Sequence, residues 1–502
     1  MKKLFYILSG LIVLVSCAKS YDDCIEVNYK PSIYPDYTDI VIPVNIAPLN
    51  FRATGSCELL SIDIIAGCDK YNLQCRNGKA IWKEKKWRSM LSKHVGDTLF
   101  ITVTMADTIG QIVKCAPFFQ VVSPDSIDSY IAYRLINTGY VLWDKMGIYE
   151  RCLENFKQEP IIENESVDVA CVNCHSFSAQ NPNTMLLHIR KFNGGTAILY
   201  DGKLQKFNTK TDISMSAGVY PSWNPNGYLI AMSTNFINQK FHNNYANRIY
   251  VSDTKSDIVL LNVKTQTLTT SPQLSTKNLE NLPAWAPDGR TLYYISAPER
   301  KEENEFDIGY WYSLLRITYD ESTNSWGTAD TVLRANDLEG SITFPKVSPD
   351  GRYIAFTFAN RGYFTPFNRE ADIHLLDLKT NEITTPEGVN SGSAESNHGW
   401  SHNGHWLVVG SKWPDGLFTK PYFAHFDGNG NFGKRFLLPQ EDPDFYDDFT
   451  LNYNNTDFIT GEVPTTPIQW RDAIKADPIP VKADPSVDID ALSGATQKAD
   501  KN

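Results

Sequence analysis

Four segments in the C-terminal half of the sequence repeat one pattern, and a repeat constrains the fold more than any local feature. Each segment has an apolar strand end, a turn that ends in Gly, and then an alternating strand. The segments are YPSWNPNGYLIAMS from residue 220, LPAWAPDGRTLYYIS from 282, FPKVSPDGRYIAFT from 344 and NHGWSHNGHWLVVG from 397. Their turn glycines, Gly227, Gly289, Gly351 and Gly404, lie 62, 62 and 53 residues apart. The pattern predicts a repeated β-hairpin whose glycine takes a positive φ.

Similar strands also recur between these segments. Residues 257–263 read DIVLLNV and residues 372–378 read DIHLLDL. Together the segments resemble the TolB-like, WD40-like β-propeller family with PD40 repeats, over roughly residues 196–445. The resemblance implies about six blades, two of them degenerate, within residues 196–460, and the wide repeat spacing indicates inserted loops. Propellers serve binding, catalysis and scaffolding, so this fold does not by itself assign a function.

The rest of the chain divides into parts of different character. Residues 17–125 contain short β-branched and aliphatic runs with a hairpin signal, which predict a small β-sandwich-like domain. Residues 126–195 place apolar side chains at helical spacing over 142–156 and again over 183–190, which predicts a short helical segment. Residues 461–502 are rich in Pro, Asp, Lys and Ala and predict a flexible tail. The predicted fold class is therefore mainly β: a TolB-like β-propeller preceded by a β-sandwich-like domain and a helical segment.

The first residues of the chain resemble the signal peptide of a bacterial lipoprotein. Two lysines precede a short apolar run, Leu4–Val15, which ends in the sequence LVSC at Cys17. The resemblance implies that residues 1–16 are removed and that Cys17 is acylated, which anchors the chain to a membrane through lipid. Ala18 stands where Asp would signal inner-membrane retention, so we expect an outer-membrane lipoprotein that faces the periplasm or the cell surface.

Charge and missing motifs exclude several classes of function. The chain has 47 Lys and Arg against 58 Asp and Glu, a net charge of −11. Nucleic-acid binding needs a basic surface, so this balance argues against a nucleic-acid partner. The sequence contains neither a GxSxG nucleophile elbow nor an HExxH helix, which favours an electron-transfer or binding protein over a hydrolase.

The most specific functional motif is CVNCH at residues 171–175. CxxCH is the attachment signature of a c-type haem, in which two thiols bind one edge of the porphyrin and the adjacent histidine ligates the iron. The motif assigns Cys171 and Cys174 to the thioether bonds and His175 to the proximal position.

Two residues of the predicted second helix are candidates for the distal haem ligand. Met185 and His188 lie three positions apart, on one face of such a helix. His188 would give a bis-histidine site of low potential, whereas Met185 would raise the potential. We favour His188.

Two other interpretations of the motif remain open. Cys171 and Cys174 would form a disulfide, or these cysteines with Cys152 and either His175 or His188 would bind structural Zn²⁺. The chain would then be a non-redox TolB-like binding lipoprotein that recognises an envelope partner. In an exported chain we also expect structural disulfides among six further cysteines, which are Cys24, Cys57, Cys68, Cys75, Cys115 and Cys152.

The order of these parts resembles that of exported Bacteroidetes lipoproteins that combine PD40 repeats with one c-type haem site. The resemblance implies extracytoplasmic electron transfer with a redox partner protein, and a propeller that serves as scaffold or docking surface. Residues 126–195 are too few to enclose a haem, so we expect a partly exposed cofactor that lies against a neighbouring domain.

The C-terminal residues 490–496 read DALSGAT. They resemble the target of extracytoplasmic flavin transferases, which attach FMN through a phosphoester to the last Thr or Ser. The resemblance assigns a covalent FMN to Thr496. Six residues follow Thr496 in the sequence, so we do not expect the flavin-binding domain that usually surrounds this target.

Substitution of Thr496 with Ala tests this expectation. Flavin fluorescence should survive denaturing electrophoresis of the wild-type chain, because a phosphoester is covalent, and should vanish in Thr496→Ala. In-gel fluorescence after co-expression with a flavin transferase makes the comparison. Fluorescence that persists in the variant contradicts Thr496 as the attachment site.

Overall fold

The structure is a computed structural model and describes residues 24–138, 145–241, 249–300 and 309–494. The predicted signal peptide, Cys17 and Thr496 lie outside the described residues. Strands dominate the chain, so the predicted fold class, mainly β with a propeller, is confirmed. The described residues contain no helix with the length and apolar character needed to cross a membrane.

The N-terminal domain contains ten strands and helix α1 (Glu84–Lys93). Its strands are β1 (Ile25–Glu26), β2 (Ile33–Tyr34), β3 (Ile40–Pro43), β4 (Phe51–Ala53), β5 (Glu58–Ala66), β6 (Asp69–Gln74), β7 (Lys79–Ala80), β8 (Thr98–Ala106), β9 (Ile112–Lys114) and β10 (Phe118–Ser123). One sheet has the order β1-β9-β8-β10-β3, with β5 and β6 joined through β8, and a smaller sheet has the order β2-β4-β7. Strands β8 and β9 form the predicted hairpin. Helix α1 adds Trp87 and Leu91 to the common core.

Twenty-five further strands build six sheets around one axis. They are β11 (Tyr130–Asn137), β12 (Met146–Cys152), β13 (Gln158–Glu163), β14 (Cys171–Ser178), β15 (Asn181–Arg190), β16 (Gly195–Tyr200), β17 (Lys203–Asn208), β18 (Val219–Trp223), β19 (Leu229–Phe241), β20 (Ile249–Asn262), β21 (Thr267–Thr269), β22 (Leu279–Trp285), β23 (Thr291–Ala297), β24 (Ser313–Asp320), β25 (Ser325–Trp326), β26 (Asp330–Leu333), β27 (Ser341–Val347), β28 (Tyr353–Ala359), β29 (Asp372–Asp377), β30 (Glu382–Thr384), β31 (Glu395–Trp400), β32 (Trp406–Ser411), β33 (Lys420–His425), β34 (Phe436–Leu437) and β35 (Leu451–Ile459). Two short helices, α2 (Ala335–Leu338) and α3 (Phe445–Asp448), connect them.

Each sheet is one blade of a six-bladed propeller. Blade one is β35-β11-β12-β13, blade two β14–β17, blade three β18–β21, blade four β22–β26, blade five β27–β30 and blade six β31–β34. The innermost strands β35, β14, β18, β22, β27 and β31 each contact the innermost strands of both neighbouring blades, which closes the ring. Blade one combines both ends of the propeller sequence, because β35 pairs antiparallel with β11 from Tyr130↔Ile459 to Asn137↔Leu451.

The predicted hairpin turns are confirmed in blades three to six. Gly227, Gly289, Gly351 and Gly404 have φ values of 78°, 67°, 75° and 75°. A side chain is disfavoured in this region of φ, so glycine fits the turn where strand one of a blade meets strand two.

The two predicted helices over 142–156 and 183–190 are wrong. Residues 146–152 form β12 and residues 181–190 form β15. Side chains 185–189 are buried on both faces of β15, and a strand buried on both faces reads as a continuous apolar run that periodicity cannot separate from a helix. In the described part of 126–195, helical structure is confined to the 3₁₀ turn Asn164–Val167.

The predicted domain boundary between residues 195 and 196 falls inside β16 of blade two. Residues 130–194, which we expected to precede the propeller, supply three strands of the first blade (β11–β13) and two of the second (β14 and β15). The motif CVNCH therefore belongs to the propeller itself.

The tail is ordered against the propeller as far as residue 494, so the predicted flexible tail is wrong for residues 461–494. Helix α4 (Pro467–Lys475) begins with a capping box of Thr466 and Gln469 and buries Trp470. Strand β36 (Ile479–Pro480) pairs with β17, and β37 (Lys482–Ala483) pairs with β21. The tail has few apolar residues, but they stand at the positions that pack against the propeller. Average composition does not reveal such positions.

The eight described cysteines are all free thiols, so the expected disulfides are not formed. Cys68 is exposed after the last residue of β5, whereas Cys115 and Cys152 are buried, in the N-terminal domain and in blade one. Cys24, Cys57, Cys75 and Cys115 flank strands of one sheet of the N-terminal domain as separate thiols, whereas Cys152 lies in blade one.

Helix α4 provides a test of the docked tail. Trp470 is 0% exposed in the core shared with blades one and two, whereas Ile468 on the same helix is 59% exposed. Trp470→Ala should destabilise the protein by about 3–5 kcal/mol because it leaves a cavity, and Ile468→Ala by less than about 0.5 kcal/mol. Urea unfolding measures both, and equal midpoints for the two variants would contradict the docking.

Candidate functional site

A β-bulge recurs on the innermost strand of every blade. One residue per blade has a positive φ between 47° and 54°, and the register shifts at that point; these residues are Cys174, Tyr220, Leu282, Phe344, Asn397 and Asn455. The local sequences CHSF, YPSW, LPAW, FPKV, NHGW and NTDF are thereby structurally equivalent. A bulge redirects the side chains next to it. The Cys-His pair of CVNCH occupies this position in blade two.

The bulges surround a central cavity of about 220 Å³. Residues from all six innermost strands line it, and the β19–β20 hairpin and the loop after β28 complete one end. Cys171, Cys174 and His175 all face this cavity. The structure thus brings together the three residues that the sequence assigned to haem attachment.

His175 is 1% exposed, and neither of its ring nitrogens has a hydrogen-bond partner among the described residues. His398 of blade six is its structural counterpart and is also buried. The His398 ring contacts the Ala355 carbonyl at 3.0 Å through Nε2 and the Thr357 hydroxyl at 3.5 Å through Nδ1. Arg134 takes the place of Thr357 beside His175 and, as a cation, cannot accept a hydrogen bond.

Burial, followed by the nearby Arg134 cation, lowers the pKa of His175 to about 3, although the Ala132 carbonyl favours the charged ring. The imidazole is therefore neutral at physiological pH, and it holds a nitrogen lone pair in a buried cavity. A neutral imidazole with a free lone pair is the form that binds a metal ion.

The two thiols differ in environment. Cys171 is buried, and this burial raises its pKa, against the influence of Arg134 and Arg190. Cys174 is half-buried and donates to the Asn173 side-chain oxygen at 2.9 Å. The thiols are not bonded to each other, so the disulfide interpretation is not realised in the structure.

The donor set fits a covalently attached haem. Two thiols three residues apart and an unpartnered imidazole share one cavity, as this cofactor requires. Pockets that enclose drug-sized ligands usually measure about 300–1,000 Å³, so a macrocycle would extend beyond the cavity, in keeping with the expected partial exposure.

The zinc interpretation finds less support. Cys152 lies in β12 of blade one and does not line the cavity. Among the described residues, the single group of three metal-binding side chains with ligand atoms within 4.8 Å of one another is Glu150, Glu159 and Glu462.

The structure does not bring the predicted distal ligands to His175. Neither His188 nor Met185 lines the cavity. His188 shares its strand face with Leu186, which packs toward blade three, and its Nδ1 lies 3.2 Å from the Thr196 hydroxyl. Burial lowers the pKa of His188 to about 3. Met185 is fully buried on the other face, in the core shared with blade one.

Sequence reasoning missed the charged residues of the cavity. Arg134, Arg190 and Lys346 line it from blades one, two and five, and Asp457 is the one acidic side chain on the described wall. Burial raises the pKa of Asp457, while Lys346 opposes that effect. The sequence does contain a signal for Arg134, because YIAYR at residues 130–134 matches YIAFT at residues 353–357. Arg134 stands where the second segment has Thr357.

Sequence reasoning also missed Asp253 in β20, which accepts a hydrogen bond from a residue of the cavity wall. Asn235, which lines the cavity, donates to Asp253 Oδ1 at 3.0 Å, and Asn281 donates to Oδ2 at 2.5 Å. Asp253 is 0% exposed. Burial raises its pKa to about 7, although both amides and the Arg300 cation favour the carboxylate.

Asp253 makes stability depend on pH. Between pH of about 4, its unfolded pKa, and its folded pKa of about 7, the folded chain binds a proton that the unfolded chain has lost. The wild type should therefore lose stability relative to Asp253→Asn as pH rises from 4 to 8, by up to about 4 kcal/mol. Urea unfolding at each pH measures the difference, and parallel pH profiles of the two proteins would overturn this account.

The chain was compared with known protein families, curated proteins and solved structures. No protein-family model matches the chain, and no curated protein matches it. Among solved structures the chain is similar to a TolB-type protein from Agrobacterium tumefaciens, with 17% identity, a TM-score of 0.37 and coverage of 66% of this chain and 98% of that one. It is also similar to the periplasmic gluconolactonase of Pseudomonas aeruginosa, with 11% identity, a TM-score of 0.32 and coverage of 66% and 100%.

The tricorn protease is a further similar structure, with 15% identity and a TM-score of 0.36 over 69% of this chain and 34% of the protease. At these identities the likeness concerns the fold alone. The chain has a six-bladed β-propeller fold, with the CVNCH motif on the innermost strand of its second blade.

Proposed function

We propose that this protein binds one covalent c-type haem at the central cavity and acts in electron transfer outside the cytoplasm. One observation carries the proposal: the buried, neutral ring of His175 has no hydrogen-bond partner among the described residues and shares the cavity with two free thiols. A buried polar group without a partner costs roughly 1–3 kcal/mol. A bound iron would remove that cost.

The comparison within the propeller strengthens this argument. His398, which also lines the cavity, shows how a neighbouring blade satisfies a histidine at the bulge, since both of its nitrogens have partners in blade five. His175 occupies the same position in blade two, where the equivalent Ala132 carbonyl acts on the ring but neither ring nitrogen has a partner with normal hydrogen-bond geometry among the described residues. The backbone position therefore does not explain why the ring nitrogens of His175 are left without partners, whereas a role as a metal ligand does.

Each residue has a defined part in this proposal. Cys171 and Cys174 would form the thioether bonds, and His175 would ligate the iron. A bound haem would supply a one-electron couple. The remaining wall fixes the His175 backbone, because the Asn455 side chain donates to its carbonyl at 2.9 Å. His188 faces another interblade space, so the proposal rests on His175 as the axial ligand.

The location and the second cofactor belong to the same proposal. A lipid at Cys17 would hold the protein at the outer membrane, facing the periplasm or the cell surface, where the propeller would dock a redox partner protein. The periplasmic gluconolactonase among the similar folds supports an envelope location. An FMN at Thr496 would follow directly on a tail segment that lies against blade three, where the Gly494 amide donates to the Ser275 carbonyl at 2.9 Å.

Expression with the cytochrome c maturation machinery tests the haem. The wild type should show a Soret band and stain for haem after denaturing electrophoresis, and Cys171→Ser/Cys174→Ser should lose the stain because both thioethers are gone. His175→Ala should lose the stain or shift the Soret band. His374→Ala is the control and should change neither, because His374 lies in β29 of blade five and does not line the cavity.

A colourless wild-type protein under these conditions would contradict the proposal. Zinc in that colourless protein would instead favour the non-redox binding lipoprotein. Haem stain that survives in the double cysteine variant would exclude attachment at this motif.

A further inference from the structure

Two guanidinium groups flank the thiols of the central cavity. Arg134 in β11 and Arg190 in β15 both line the cavity, and both act electrostatically on Cys171 and Cys174. Neither arginine forms an ion pair with a carboxylate among the described residues. They belong to two neighbouring blades, so the propeller ring holds them together.

The hydrogen bonds of Arg134 leave part of its guanidinium without a partner. Its Nη2 donates to the Asn454 side-chain oxygen at 2.7 Å, whereas its buried Nε has no acceptor among the described residues. Burial lowers the pKa of Arg134, and the thiols and Tyr220 oppose this. A guanidinium keeps its charge in proteins, so the cavity contains a charge for which the described residues provide no ion-pair partner.

The rest of the wall does not supply that counter-ion. Asp457 is the one acid on the described wall, burial raises its pKa, and Lys346 acts on it electrostatically. Most other polar lining groups are neutral amides, which are Asn137, Asn173, Asn235, Gln239, Asn397, Asn452, Asn454 and Asn455. A buried cation without a partner is costly, and an anion bound beside it removes much of that cost.

We infer that Arg134 and Arg190 form a binding site for a small carboxylate ligand in the central cavity. The planar guanidinium matches a carboxylate with two parallel hydrogen bonds. The cavity volume of about 220 Å³ is below the usual range for drug-sized ligands, which restricts the ligand to a small molecule. The site is built from arginines and amides and goes beyond the proposed haem, because it does not require a cofactor.

Titration with succinate tests the site in the full chain produced without haem maturation. Isothermal titration calorimetry should detect binding of succinate and none of succinamide, its uncharged analogue. Arg134→Gln and Arg190→Gln should each weaken succinate binding at least tenfold, because each removes one charged fork. Arg316→Gln is the control, since Arg316 pairs with Asp330 on the exposed surface of blade four.

Arg190→Lys separates charge from geometry. It keeps the cation but loses the fork, so its affinity should lie between those of the wild type and Arg190→Gln. Circular dichroism and thermal unfolding show whether each variant is folded, and Arg190→Gln carries the test if Arg134→Gln disturbs the bond to Asn454.

Three results would overturn the inference: no succinate binding to the haem-free chain, equal binding of succinamide, or competition by chloride at equal concentration. None of them bears on the Soret band. A colourless protein that still binds succinate through both arginines would refute the proposed haem and support this site. A protein that carries haem but whose haem-free form does not bind succinate would support the proposed haem and refute this site.

Discussion

The pairing of β35 with β11 is the interaction on which the rest of the structure depends. It joins residues 451–459 to residues 130–137 and so converts five consecutive blades and a partial one into a closed ring. The ring in turn creates the cavity, because six innermost strands meet around one axis. It also places Asn454 beside Arg134 and Asn455 beside His175. The geometry of the site therefore depends on the closure of the ring.

The repeated bulge explains how a common scaffold carries a special site. All six blades redirect one innermost residue pair, and in three of them that pair ends in proline. Blade six uses a histidine whose nitrogens are both satisfied, whereas blade two uses a histidine with none satisfied and two cysteines next to it. The chemistry thus comes from changed side chains at a position whose backbone is shared.

Local patterns predicted part of this correctly. The four turn glycines gave the hairpins, and the hairpins gave the propeller, because turn chemistry is a local property. The same kind of reasoning failed for β15, where side chains 185–189 are buried on both faces and lack a strand period. It also failed for the tail, where Trp470 and Ile474 anchor a helix that composition describes as polar.

By itself the sequence determined the repeat, the fold class and the grouping of Cys171, Cys174 and His175, because all of these are encoded within short segments. Only the tertiary structure decided that this motif lies on a propeller strand, that His188 faces away from it and that Arg134 and Arg190 flank it. Arg134 stands 37 residues before the motif's first cysteine, and Asn455 follows its histidine by 280 residues. Contacts over such separations depend on ring closure, and no local pattern in the chain records them.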